Sequence, residues 1–295
     1  MSQSDEDDAP LCQGPDPWPR PPSFAMPPGA TDCHAHVIGP FQLFELQDDR
    51  SYTPPEAPLA AYRNLLDTLG LERGVVVQPS VFGTDNACTL DALAKHRNRL
   101  RGIAVIDPSI TDNALARMAG NGIRGVRLNM LFRGGVSMDY LEDLARRIER
   151  FGWHIQLLLD CRTLPALAPR LARLPVDIVI DHMGHIPTSA GVDHPGFKQL
   201  LRLVREGRTW VKLSGANRIS VEGPPYRDTI PFAQALLDAD PTRLVWGSDW
   251  PHVAIDGPMA NDGELLDLLQ TWVPDERQRH LVLVENPARL YGFGD

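Results

Sequence analysis

The sequence predicts an α/β protein built as a (β/α)8, or TIM, barrel, on three observations. Short β-branched apolar runs alternate with longer amphipathic stretches along most of the 295 residues. Eight of the runs are each followed by a helical stretch, which argues for a closed barrel. The runs themselves, such as Val75–Val77 and Ile178–Ile180, are continuous rather than alternating, the pattern of strands covered by helices on both faces. An open doubly wound sheet is the alternative. A Gly-rich dinucleotide fingerprint after the first run would favour it, and none is present.

Residues 1–28 are acidic and then Pro-rich. They carry too little apolar surface to form a core and are read as a flexible arm ahead of one catalytic domain, 29–295. Barrels of this kind run to about 250 residues as a single domain, so one domain suits the length. Strands are expected at Thr31–Ile38, Gly74–Gln78, Gly102–Ile106, Gly125–Asn129, His154–Leu159, Asp177–Asp181, Trp210–Leu213 and Leu244–Ser248. Helices are expected at Leu59–Leu69, Leu90–Lys95, Leu115–Ala119, Met138–Phe151, Leu164–Leu174, Gly196–Arg205, Pro231–Leu237 and Glu264–Trp272. A last helix over Asp275–Leu283 and a turn at Asn286–Tyr291 complete the chain. Thr-Asp-Asn occurs at 84–86 and at 111–113, each time before a helical run. The flanks differ, so these read as two independent N-caps and not as a duplication.

Composition excludes several classes of function. The chain has 38 acidic against 29 basic residues, a net −9, which opposes non-specific nucleic-acid binding. No run approaches the roughly 18 apolar residues of a membrane span. The N-terminus is acidic where a signal peptide is basic. Cys12, Cys33, Cys88 and Cys161 are scattered with no CxxC pair, so neither a disulfide framework nor a zinc–cysteine site is indicated. A cytoplasmic protein is expected, a monomer or small homo-oligomer with no nucleic-acid or membrane partner.

In a (β/α)8 barrel the active site lies at the C-terminal ends of the strands. Chemically capable residues fall there. His34 and His36, two apart on the first strand, share a face and both enter the mouth. His182 directly follows the sixth apolar run, with Asp181 placed to orient a neighbour and His185 further into the loop. Asp249 follows the eighth run beside Trp250, where partial desolvation should move its pKa toward neutrality and suit a general base. His252 is a rim residue. Arg127 and Asn129 share a face at the end of the fourth strand, Arg133 follows in the loop, and Arg218 comes after the seventh strand. Guanidinium groups are matched to carboxylates, so these arginines imply a positive pocket for an anionic substrate. Gln78 and Ser80 in the second loop are weaker candidates.

Together these motifs resemble the amidohydrolase superfamily, and within it the lactonase branch. The resemblance runs from about Gly29 onward, through Asp32–His36, Gly83–Asn86, Gly102–Pro108, Ile180–Gly184, Trp246–His252 and Asn286–Tyr291. It implies an amidohydrolase-like barrel that opens a small carboxylated lactone. Asp249 matches the residue that activates water, and His34, His36 and His182 match the imidazoles around the scissile carbonyl. Arg127, Arg133 and Arg218 match the groups that hold substrate carboxylates. Family members with two metals add a Lys or Glu on strand four and a His on strand five. Here strand four ends in Arg127 and Asn129, and His154 lies at the start of strand five, which argues against two metals. The resemblance leaves open no metal, or one divalent ion such as Zn²⁺ on His34, His36, His182 and Asp249. It places a tyrosine where this chain has Leu158. A sugar-lactone hydrolase or isomerase, and a zinc decarboxylase of an aromatic or muconate-type acid, stay open as alternatives.

Overall fold

The computed structural model describes residues 9–294. The first part of the arm, residues 1–8, lies outside the described residues. Eight parallel strands pair in sequence order: β1 (Thr31–Ala35), β2 (Arg73–Val77), β3 (Leu100–Ala104), β4 (Ile123–Asn129), β5 (His154–Leu158), β6 (Ile178–Ile180), β7 (Thr209–Leu213) and β8 (Leu244–Trp246). Helices α1 (Leu59–Leu69), α2 (Ala87–Lys95), α3 (Asp112–Gly120), α4 (Leu141–Ile148), α5 (Leu164–Leu171) and α6 (Pro195–Arg205) follow the first six strands in turn. A short α7 (Ala216–Ile219) and α8 (Ile230–Ala239) follow β7, and α9 (Asp262–Trp272) follows β8. This is the barrel the alternating pattern predicts.

Several boundaries differ, for physical reasons. The stretch 138–151 is α-helical only over Leu141–Ile148, with a 3₁₀ turn on each side. The stretch 275–283 is α10 (Glu276–His280), followed by a π-helical turn, Leu281–Glu285, that leads into α11 (Asn286–Tyr291). The two Thr-Asp-Asn triplets do different work. Thr111 caps α3 by accepting from Ala114 N at 3.3 Å. Before α2 it is Asp85 that accepts from Ala87 N, while the Asn86 side chain bridges Val105 N and O at 3.0 and 2.7 Å. β6 and β8 are only three residues long; beyond them His182 and Asp249 take positive φ.

Two apolar clusters form the core. The larger packs the helices on the outward strand positions, such as Val76, Ala104, Val126 and Ile155. The smaller uses the alternate positions, Val75, Val77, Ile103, Val179, Trp210 and Val245, with Cys33, Tyr291 and Phe293. Period two therefore puts Gln156, Lys212 and Asp181 on the same strand faces as His154, Trp210 and Val179.

The barrel closes between β1 and β8, where the regular ladder gives way to side chains. The β1 register shifts between Asp32 and Ala35. Asp32, fully buried, accepts from Ser248 N (2.9 Å), Ser248 Oγ (2.7 Å), His34 N (3.0 Å) and the Tyr62 hydroxyl of α1 (3.1 Å). Beyond it, Asp249 N donates to His34 O and His36 N donates to Trp250 O, both at 2.8 Å. Residues 9–28 run over the outside of this end: Cys12 N bonds Thr53 O, and Ser23 bonds Asp267 of α9. Among the described residues no helix is long and apolar enough to cross a membrane.

Asp32→Ala should cost about 3–4 kcal/mol, because it strands several buried donors at once. Chemical denaturation at constant pH measures this; a loss below about 1 kcal/mol would mean the seam does not depend on Asp32.

Candidate active site

The strand ends bring His34, His36, His182 and Asp249 to one point. The His34 ring centroid lies 5.1 Å from that of His36 and 4.6 Å from that of His182. Asp249 Oδ1 is 3.8 Å from His34 Nε2 and 3.5 Å from His182 Nε2. All four are buried. The backbone is strained to achieve this: His182, Met183, His185, Asp249 and His252 all take positive φ, which costs non-glycine residues about 1 kcal/mol or more each. Two glycines make room. A Cβ on Gly215 would lie 2.8 Å from His182 Cβ, and one on Gly247 would lie 2.7 Å from His34 Cβ.

Each ring is held at its back. His36 Nδ1 donates to Val77 O at 2.7 Å, which leaves Nε2 with the lone pair. His182 Nδ1 meets Ser214 Oγ at 2.9 Å. His34 Nδ1 meets the Lys212 ammonium at 3.1 Å. Burial pushes all three imidazoles down, His36 to about 4 and His182 to about 3, with nearby Arg127 and Lys212 adding to the effect on His36 and His34. They are neutral at neutral pH.

Asp249 departs from expectation. Burial pushes its carboxyl up, but the Arg218 guanidinium, which bonds Oδ2 directly, overcomes that and holds it well below the usual carboxylate range. The free site therefore holds an ion pair, not a carboxylate of near-neutral pKa. Asp249 Oδ1 and His34 Nε2 are buried without a hydrogen-bond partner; Asp249 lines the cleft, and His34 packs directly against His36 and His182 of its lining.

The cleft is lined by His36, Tyr52, Arg127, Phe132, Leu158, His182, His185, Arg218, Asp249 and Val253. The other predicted residues do not line it. Arg133 is 58% exposed and turns to Asp49 at 3.3 Å and to Arg50 O. Ser80 is buried behind Tyr52, its Oγ 3.4 Å from the phenol. Asn129 Oδ1 accepts from Leu131 N and Phe132 N, a local loop brace. Gln78 likewise braces its own loop through Gly83 O and Asp85 O. His252 is buried against Asp262 at 3.1 Å. A roomier cleft at the N-terminal end of the barrel holds Arg208, Arg243 and Arg289, but these bond main-chain carbonyls and Asp177.

Sequence reasoning named Asp181 and Arg127 but missed Lys212 and Gln156, which join them in the layer below the mouth. Lys212, fully buried, meets Gln156 Oε1 at 2.8 Å and Asp181 Oδ1 at 3.3 Å, while Asp181 Oδ2 takes Gln156 Nε2 (3.0 Å) and Arg127 (3.4 Å). A lone lysine inside the apolar run Trp210–Leu213 was the available signal.

Donor atoms for one cation are within reach. His34, His36 and Asp249 form one set and His34, Asp181 and His182 another, each set's atoms within 4.8 Å of one another; the four-residue set His34, His36, His182 and Asp249 does not form a single group. The charge does not fit, however. Asp249 is already paired with Arg218, and Asp181 with Lys212 and Arg127. A divalent ion would join three buried cations balanced by those two carboxylates.

Comparison with known proteins extends these observations. The family model described as "Amidohydrolase" matches residues 31–293. The chain is 41% identical over 99% of both chains to a 4-sulfomuconolactone hydrolase of Rhizobium radiobacter. It is 38% identical to a 2-pyrone-4,6-dicarboxylate hydrolase of Comamonas testosteroni, covering 92% of this chain and 93% of that one. A solved structure of a probable 2-pyrone-4,6-dicarboxylic acid hydrolase from Acinetobacter baumannii, with citric acid bound, superposes with a TM-score of 0.79 at 30% identity, covering 90% of this chain and 100% of that one.

Arg218→Met leaves Asp249 buried and unpaired, and should destabilise the protein by about 3–5 kcal/mol. Arg218→Met combined with Asp249→Asn should recover most of that loss. Urea unfolding of both variants at pH 7 checks it; equal losses would mean the pair is not coupled.

Proposed function

The chain belongs to the amidohydrolase family, and from that premise we propose that it is a hydrolase that opens the ring of a small lactone bearing an anionic substituent. The observation that carries this reading is the unpartnered Asp249 Oδ1 among neutral imidazoles, with Arg127 and Arg218 on the same cleft. The catalytic unit is assigned to 29–295.

Asp249 Oδ1 accepts a proton from water as its oxygen attacks the lactone carbonyl. Charge then develops on the carbonyl oxygen, and imidazole N–H groups stabilise it, each well-placed donor being worth about 3–4 kcal/mol. The ring C–O bond breaks, and Asp249 returns its proton to the departing oxygen. The products are a free carboxylate and the released hydroxyl or its keto form. Arg127 and Arg218 bind the anionic substituent, carboxylate or sulfonate, and orient the ring. Asn129, Ser80, Arg133 and His252 support the loops of the mouth in this reading. No step passes through a metal.

Arg218 has two claims on it. In the free enzyme it pairs with Asp249 and holds that carboxyl low. A substrate anion that draws the guanidinium away lets burial raise the Asp249 pKa, so the base strengthens when a charged substrate binds. The sign follows. The reaction needs ionised Asp249, so activity falls as pH drops through its pKa. The acid limb of kcat/KM, which reports the free enzyme, should lie below the ordinary carboxylate pKa of about 4. The acid limb of kcat, which reports the complex, should lie at higher pH. Coincident limbs would remove this account of Arg218.

The decisive experiment is a panel of carboxylated, sulfonated and neutral lactones, assayed by proton release with and without a chelator. Anionic lactones should be opened at least about tenfold faster than neutral ones, and chelation should leave the rate unchanged. Release of CO2, or activity confined to neutral sugar lactones, would overturn the proposal in favour of another member of the family.

A further inference from the structure

Lys212 is the fourth of the five residues of β7, inside the barrel with no exposed surface. Burying an ammonium costs several kcal/mol unless every proton finds a partner. Three partners surround it: Gln156 Oε1 at 2.8 Å, His34 Nδ1 at 3.1 Å, and Asp181 Oδ1 at 3.3 Å, the last an ion-pair contact rather than an aligned hydrogen bond. An ammonium has three donors and no acceptor. The proton aimed at His34 can only be received by a bare Nδ1. In neutral imidazole the other nitrogen must then carry the hydrogen.

We infer that Lys212 is a positioning residue: it fixes His34 in the Nε2–H tautomer and so makes that imidazole a hydrogen-bond donor to the reacting carbonyl. This rests on the hydrolytic reading of the site and deepens it.

The surroundings agree. His34 Nε2 is buried, has no protein partner, and lies 3.8 Å from Asp249 Oδ1. An N–H there lies beside Asp249 Oδ1, the atom assigned to take the water proton, and against the cleft-lining His36 and His182. His36 is set the other way, since its Nδ1 donates to Val77 O and its Nε2 keeps the lone pair. Two neighbouring imidazoles are thus assigned opposite roles by what stands behind each. The competing arrangement is also definite. Asp181 Oδ1 lies 3.3 Å from His34 Nδ1 as well, and would hold the hydrogen there if Lys212 did not. Gln156 holds the frame: its amide nitrogen binds Asp181 Oδ2 while its oxygen faces Lys212, so both ends of the network are tied.

The test reads the tautomer directly. Full-length protein labelled with [15N]histidine is examined by long-range 15N–1H correlation, with the His34 signals assigned by their loss in His34→Gln. Bare and protonated ring nitrogens resonate far apart. A bare Nδ1 and a protonated Nε2 are expected in the substrate-free protein; a protonated Nδ1 overturns the inference. This needs no turnover, so it is decided even if no lactone proves to be a substrate. In Lys212→Met, which keeps side-chain length without the charge, the Nε2–H preference should be lost. With an anionic lactone, kcat should then fall about 10²-fold, as for a lost oxyanion donor, while KM stays within about threefold. Unchanged kcat, or a loss carried wholly by KM, overturns it. Should that variant not fold, the wild-type spectrum alone decides.

Discussion

Everything at the mouth depends on how the barrel closes. β1 and β8 do not meet through a full ladder; the fully buried Asp32 carboxylate joins them by taking two donors from Ser248 and one each from His34 N and Tyr62. Two backbone bonds just above it then tie His34 to Asp249 and His36 to Trp250. The residues that make the closure are thus the neighbours of those that make the site. Strain at Asp249 and His182 is sustained because the seam and the close approaches at Gly247 and Gly215 over-determine their positions.

Below the mouth the barrel interior changes character. The lower layer is largely apolar, and above it lies a layer in which Lys212, Asp181, Gln156 and Arg127 pair with one another. Such a network is expensive to bury, and the pairings within it offset that cost. Arg127 Nε and Asp181 Oδ1 are its atoms without a hydrogen bond. Of these four residues Arg127 reaches the cleft.

The pairing of Arg218 with Asp249 gives the resting site a particular character. A carboxylate alone in this place would be lifted by burial, and the guanidinium reverses that. The charge of the ligand therefore enters the chemistry of the base as well as its binding.

The sequence by itself determined the order of elements and the identity of the residues at the strand ends. Both are local properties. The alternation of short apolar runs with amphipathic stretches shows the barrel, and helix α1 lies at Leu59–Leu69 as its pattern indicates. His34, His36, His182 and Asp249 were legible because each directly follows or ends an apolar run. The tertiary structure alone decided which charges meet. Arg133 reads like Arg127 in the chain, yet one turns to solvent and Asp49 while the other enters the barrel. Asp249 looked like a free carboxylate until Arg218, 31 residues away, was found against it. Lys212 on β7 and Asp181 just past β6 are 31 residues apart in the chain, and the pairing of Ile180 with Val211 sets them side by side. Hydrophobic periodicity is written residue by residue, whereas the ionisation of a buried group is set by every charge around it, and that neighbourhood exists only once the chain has folded.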